Sequence, residues 1–325
     1  MPGLFSVLLA GLFQGSFMVP MKWTRGWAWE NVWLVFACTA YLLCPWALVL
    51  LTIPQAFDIY ASVGAGPLLS VAAFGVGWGL GAVTFGLGVA AVGLSLGFVV
   101  ILGLAATVGT LVPLASADMS LARAAVTGAA LVGMLAGVAV SSFAGRWKEK
   151  AETAVLSYRQ GLAMCAVSGV LSASGNLGFV YGQGIIDRAQ AMGVPPYLAS
   201  NVVWALLTLA VFACNAGYAL YLLARNRTFG KFRMRRVNFA LGVSMGALWM
   251  AGFVFYGYGA RQLGALGPSL GWAMLMSGMV VTANLAGIAT GEWTGAPPAA
   301  RRQLRNGVLL LLAAIVGLGY ANGMP

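Results

Sequence analysis

The chain contains no histidine, only seven carboxylates, and 8% charged residues in a length of 325. Without histidine, the commonest metal ligand and the usual neutral-pH proton shuttle are both missing. The four cysteines, Cys38, Cys44, Cys165 and Cys214, stand inside apolar runs with no C-x-x-C spacing. They read as small packing residues, with no disulfide framework and no metal site. A dinucleotide fingerprint is also lacking: Gly77 and Gly79 are followed by Ala82, so the G-x-G-x-x-G register does not close, and no strand-helix-strand setting surrounds it. There is no buried acid pair and no serine beside a base, so a membrane-embedded enzyme finds no support. No cofactor is expected.

What is present is apolar surface. Hydrophobic residues make up 61% of the chain and the mean hydropathy is +0.89. A soluble domain carries about 25% charged residues. Nearly every window of about 20 residues is long and apolar enough to span a bilayer, which predicts a polytopic membrane protein. The net charge of +11 would suggest nucleic acid in a soluble chain. Here the basic residues sit in short loops between apolar runs, so membrane orientation explains them and no nucleic-acid partner is expected.

Ten spans are predicted, at about 3–21, 31–53, 67–91, 94–115, 121–144, 159–181, 197–224, 237–260, 268–290 and 304–322. The first lacks a basic leader and a cleavage site, so it reads as a span and not as a removed signal peptide. Span one breaks near Pro20, and Trp23, Trp27 and Trp29 after it suit a membrane interface. A polar loop with Asp187, Arg188 and Pro195-Pro196 joins spans six and seven. Of the 18 basic residues, all but Arg123, Arg188 and Arg261 fall in the loops after spans one, five, seven and nine, the richest being RNRTFGKFRMRR. The positive-inside rule puts these loops in the cytoplasm and both termini outside.

The stretch Phe74–Gly97, FGVGWGLGAVTFGLGVAAVGLSLG, carries eight glycines and no charge. Such a run makes a poor helix in water, but in lipid helix is the default and glycine lets helices approach closely. Gly75/Gly79, Gly77/Gly81 and Gly93/Gly97 are small-xxx-small spacings of this kind. Shifting the chain by 171 residues lays Gly75 on Gly246, Trp78 on Trp249, Gly81 on Gly252, Phe85 on Tyr256, Gly86 on Gly257, Gly88 on Gly259 and Gly93 on Gly264. After a three-residue insertion Ser95, Leu96 and Gly97 match Ser269, Leu270 and Gly271. This predicts an all-α membrane domain of two five-helix repeats, 1–150 and 151–325. An odd number of spans per repeat inverts the second in the membrane, a transporter device in which two halves rock about a midplane site. Trp78 and Trp249 then face each other across one cavity.

The segments PMKWTRGWAWENVW, FGVGWGLGAVTFGLGVAAVGLSLG with VGTLVP, and GALWMAGFVFYGYGA followed by GEWTGAPPAARR resemble the bacterial L-rhamnose–proton symporter family of the drug/metabolite transporter superfamily. The resemblance covers most of the chain. It implies ten helices in two inverted repeats and uptake of a deoxy-sugar with protons across the bacterial inner membrane. Two places depart from the family pattern. GVAAV between Leu87 and Gly93 is apolar where polar residues are expected, and Ala260 stands where histidine is expected.

A sugar site wants amides and hydroxyls for hydrogen bonds and an aromatic platform for the ring. The substrate-binding candidates are Gln14, Trp78, Thr84, Asn176, Asn201, Trp249, Tyr256 and Asn284, because buried amides are costly unless paired and so mark function or interhelical bonding. Ser16, Thr107, Thr110, Ser172, Ser174, Trp204 and Trp272 complete the buried polar and amphipathic set. No acid falls at mid-membrane. Glu30 and Glu292, each beside a tryptophan at the cytoplasmic rim, are the coupling candidates, while Glu149 and Glu152 read as solvated partners of Lys148 and Lys150. Arg261, near the outer end of a cavity helix, either attracts an anionic sugar acid or snorkels to the interface. The expected function is import of a small polar metabolite, a monosaccharide such as L-rhamnose first. Export or exchange of amino acids or other metabolites, an uncoupled sugar facilitator, and a non-transporting sensor are the alternatives.

Overall fold

A computed structural model describes residues 2–92, 94–115, 118–148 and 157–324. The repeat pair Gly93–Gly264, the spacing Gly93/Gly97 and the acids Glu149 and Glu152 involve residues outside that set. The described residues form helices and turns with no strand. Among the described residues ten helices are long and apolar enough to cross a membrane: Pro2–Trp23, Trp29–Thr52, Ala65–Val89, Leu96–Leu114, Leu121–Ala144, Arg159–Ala191, Pro196–Arg225, Val237–Gln262, Gly267–Ala289 and Pro298–Gly323. They are spans one to ten below.

Span one stops being α-helical at Ser16 and continues as a 3₁₀ turn, Val19–Trp23, around Pro20. Span two contains a π-helical turn, Cys38–Leu43, immediately before Cys44-Pro45. Pro45 has no N–H to offer the carbonyl of Tyr41, so the ladder must loosen there. Span six differs from expectation. It runs in three segments, Tyr158–Ser172, Ser174–Tyr181 and Gln183–Ala191, so the stretch holding Asp187 and Arg188 is helix and not loop. The reason is an apolar stripe: Ile185, Ile186 and Ala189 are all fully buried, and this segment packs on a short helix, Ala56–Val63, between spans two and three. Span ten starts at Pro298, earlier than expected, because proline fits the first helical position, where its missing N–H costs nothing.

The packing has a reciprocal order. Span three lies against spans six and seven, and span eight lies against spans one and two. Span four lies on spans six and nine, and span nine lies on spans one and four. Spans two and seven, four and nine, and five and ten pack on their own counterparts. Replacing each span by the one five places later reproduces these principal pairings. The two halves of the chain therefore interleave, and neither forms a lobe of its own.

Glycines make these approaches possible. A Cβ on Gly75 would lie 2.5 Å from the carbonyl oxygen of Leu207, and one on Gly79 would lie 2.8 Å from Cβ of Cys214, so this pair faces span seven. Gly77 and Gly81 face Ser174 and Ser172 of span six. At the repeat-related positions, Gly246 abuts Thr39 of span two and Gly252 abuts Gln14 of span one.

Candidate functional site

Trp78 and Trp249 lie near the middle of spans three and eight. At 1.5 Å per residue each is about 20 Å from its helix start, close to the centre of a bilayer. Their rings meet at 5.5 Å with planes 32° apart. Phe253 joins both, 5.1 Å from Trp78 and 4.4 Å from Trp249, and Tyr41 of the π-helical turn meets Trp249 edge-on at 4.8 Å. From Phe253 the contacts pass to Trp204 at 4.9 Å, which stacks on Phe179 at 4.9 Å with planes 3° apart. Tyr256 lies 6.0 Å from Trp204 and 5.7 Å from Trp272. The molecule is thus threaded by a column of aromatic rings drawn from both halves, each pair adding roughly 0.5–1.5 kcal/mol beyond its buried area.

The polar candidates fall into groups. Gln14, almost fully buried, donates from Nε2 to the carbonyl of Trp249 at 2.8 Å, which ties span one to the central ring pair. Asn176 and Tyr256 form a knot. Asn176 Nδ2 donates to the carbonyls of Gly109 and Pro268 at 2.8 and 2.9 Å, and the Tyr256 hydroxyl donates to Asn176 Oδ1 at 2.5 Å, with Pro268 O at 3.0 Å. Spans four, six, eight and nine meet there. Trp272 donates to the carbonyl of Ala105 at 3.1 Å beside it. Thr84 and Asn284 stand apart, each bonded to the carbonyl four residues earlier in its own helix, Leu80 and Val280. Ser16 likewise bonds Phe13.

Asn201 is different. It is fully buried, and neither its amide oxygen nor its amide nitrogen has a partner. The same holds for Ser200 Oγ and Trp204 Nε1 on the same turn, and for Thr110 Oγ1. An orphaned buried polar atom costs roughly 1–3 kcal/mol.

The two ends of the bundle are held by different chemistry. At the arginine-rich end, Glu30 is buried and its Oε1 accepts from Thr228 Oγ1 at 2.7 Å and Asn226 Nδ2 at 3.1 Å. Trp27 Nε1 donates to Met234 O, Asn31 Nδ2 to Thr228 O, and Asn238 Nδ2 to Arg25 O. Lys22 pairs with Glu292 and donates to Thr290. These bonds stitch the loops after spans one, seven and nine together. At the far end Arg261 is held by three acceptors of span six: Asp187 at 2.9 Å, Gln190 at 2.8 Å and Gln183 at 2.5 Å. Its guanidinium is therefore already occupied within the protein.

Two hollows among the described residues bear on the site. One of about 340 Å³ opens at the far end, lined among others by Val112, Pro113, Tyr181, Gln183, Pro268 and Ser269. That is the size of a small-molecule site, and Pro268 also receives the Asn176–Tyr256 knot. The other, about 530 Å³, lies at the arginine-rich end against Pro298, Arg301, Arg302 and Arg305. It is wider but has only cations for polar groups and lies away from the aromatic column. Among the described residues no cluster of His, Cys, Asp or Glu could hold a metal ion, and the four cysteines are free.

The profile of the L-rhamnose-proton symport protein family matches residues 1–322. The chain belongs to that family. It is 29% identical to an L-rhamnose-proton symporter of Klebsiella pneumoniae (strain 342), with 98% of each chain covered. It is 27% identical to those of Shigella dysenteriae serotype 1 and Escherichia coli O1:K1, again with 98% of each covered. The protein is accordingly a multi-pass membrane transporter of a symporter family and not an enzyme.

Tyr41, Phe253, Ser200 and Gln183 also belong to this region, although they are not among the residues singled out from the sequence. The signal was available for the turn at Ser200. The same 171-residue offset that pairs the tryptophans lays Glu30 on Asn201 and Trp33 on Trp204.

Proposed function

We propose that this protein imports a monosaccharide, L-rhamnose first, together with protons across the bacterial inner membrane by alternating access. The observation that carries the reading is the Trp78–Trp249 pair at mid-depth in a chain of this family. Two rings contributed by repeat-related positions offer an apolar platform to a sugar ring, and Gln14, Asn176, Asn201 and Tyr256 bring amides and a hydroxyl around the same aromatic column. Thr84 and Asn284 spend donors on carbonyls of their own helices and offer the sugar the Thr84 hydroxyl oxygen as an acceptor and the rest of the Asn284 amide. The reciprocal packing is what two repeats, 1–150 and 151–325, related by an axis in the membrane plane require. With the arginine-rich loops in the cytoplasm, both termini lie outside and the cavity of about 340 Å³ faces outward.

Proton coupling falls to the rim carboxylates, and Glu30 is the better placed of the two. Its side chain is buried and its two donors belong to the far side of the loop seam, so loss of its charge weakens the bonds that close the cytoplasmic end. Glu292 is more exposed, 41% for the side chain, and paired with Lys22. The absence of histidine and of a mid-membrane acid favours one second reading, an uncoupled facilitator. Uptake of labelled L-rhamnose into proteoliposomes separates them. The coupled reading expects accumulation above the external concentration only with an inward proton gradient. Equilibration indifferent to the gradient selects the facilitator, and no uptake of L-rhamnose rejects the substrate.

A further inference from the structure

At the arginine-rich end the turn that opens span two is complete. Trp33 Nε1 donates to Asn215 Oδ1 at 3.2 Å, and Glu30 receives Thr228 and Asn226. Span seven opens with the corresponding turn at the other end of the bundle, with Asn201 for Glu30 and Trp204 for Trp33. There the partners are missing from the sequence itself. At the same offset, Asn215 corresponds to Cys44, Asn226 to Gln55 and Thr228 to Phe57. Gln55 is engaged with the carbonyl of Met192, and Phe57 is an exposed apolar ring. The result is four orphaned polar atoms within one turn, Ser200 Oγ, both amide atoms of Asn201 and Trp204 Nε1, all on fully buried residues.

Against this turn stands Gly257. A Cβ there would lie 2.5 Å from Ser200 Oγ and 2.6 Å from Trp204 Nε1, so only a glycine lets span eight close over them. Aromatic faces surround the turn: Phe179 stacked on Trp204, with Phe253 and Tyr256 beside it. Tyr256 also reaches Pro268, which lines the outward cavity. Donors and acceptors without protein partners, next to aromatic faces and one residue from a cavity wall, are the complement of a polyhydroxylated ring.

We infer that Ser200, Asn201 and Trp204 form the hydroxyl-binding wall of the sugar site, covered by Gly257 of span eight and exposed when that helix withdraws past Tyr256. The inference rests on the transport reading above and narrows it to three side chains. In this arrangement the orphaned atoms lower the stability of the unliganded protein and are satisfied by sugar hydroxyls.

The test uses purified full-length protein in detergent, comparing wild type with Ser200→Ala, Asn201→Leu and Trp204→Phe. Two quantities are measured: the unliganded Tm and the Kd for L-rhamnose by calorimetry, with a panel of other monosaccharides and amino acids. The expected result is an unliganded Tm equal to or above wild type for Asn201→Leu, and binding weakened at least tenfold by Asn201→Leu and Trp204→Phe. Ser200→Ala, the mildest change, gives a smaller loss of affinity and keeps the test decisive if a larger substitution fails to fold. A lowered Tm with unchanged affinity makes the turn purely structural and overturns the inference, leaving the transport reading intact. Wild type that binds no sugar of the panel overturns both.

Discussion

Trp78 and Trp249 touch at mid-depth, and the consequences of changing them differ by what is kept. Replacing a packed tryptophan by alanine removes about 3–5 kcal/mol of packing, so loss of transport alone proves little. Trp249→Phe keeps an aromatic face and the helix contact with Gln14, which uses the backbone carbonyl of residue 249 and not its ring. Trp249→Phe is therefore expected to fold and to retain uptake within about threefold, while Trp249→Leu folds but loses at least about tenfold, a difference of about 1.4 kcal/mol in sugar binding. Initial uptake rates normalised to folded protein measure this. Equal rates for the two variants would remove the aromatic platform from the mechanism. Glu30→Gln is a separate question. It preserves an acceptor for Thr228 and Asn226 but removes the charge. Exchange of labelled for unlabelled sugar should persist, and gradient-driven accumulation should fall to equilibration. If accumulation survives the change, the coupling group lies elsewhere.

Helices in this molecule are spaced by their glycines, and the glycines are not equivalent. A Cβ on Gly81 would sit 2.8 Å from the backbone nitrogen of Ser172, whereas one on Gly86 would meet nothing within 4 Å. Gly81→Ala must push spans three and six apart, an overpacking cost of roughly 1–3 kcal/mol. Gly86→Ala adds helix propensity, roughly 0.5–1 kcal/mol, with no steric charge against it. Thermal unfolding in detergent should place Gly81→Ala several degrees below wild type and Gly86→Ala at or above it. The same Tm for both would deny that span three is held at close range by its glycines. This contrast also marks what the sequence could say. The small-xxx-small spacing correctly foretold close helix approaches, because the spacing alone puts Gly75 with Gly79 and Gly77 with Gly81 on common faces. It could not tell that one pair faces span seven and the other span six, since that depends on which helices arrive as neighbours. Span six shows the other limit. Asp187 and Arg188 drew attention away from Ile185, Ile186 and Ala189, whose stripe is what makes that stretch helical. Asn201 was readable as a buried amide, but its lack of partners was not, because only the structure shows that Asn215, Asn226 and Thr228 serve the matching turn, whose counterparts Cys44, Gln55 and Phe57 do not serve Asn201.

The whole molecule presents two unlike ends, and the proposed orientation rests on them. The seam at one end is built from the arginine-rich loops, stitched by Lys22–Glu292 and the bonds to Glu30, Thr228 and Arg25. The other end is held by Arg261 on the polar side of span six and contains the cavity. Moving a basic loop across a bilayer is costly, so the proposed orientation puts the stitched end in the cytoplasm. Because ten spans return the chain to its starting side, both termini then share the cavity's side. Single cysteines read this directly once Cys38, Cys44, Cys165 and Cys214 are replaced. Asp118→Cys, in the exposed loop after span four, and Gly230→Cys, in the exposed loop after span seven, mark opposite ends. In right-side-out vesicles a membrane-impermeant maleimide should label Asp118→Cys at once and Gly230→Cys only after the membrane is opened. The reverse order would turn the cavity to the cytoplasm and make this conformation the one that releases sugar instead of the one that receives it. Labelling of both from one side would mean that the two loops share a face, and the inverted relation between repeats would fall with it.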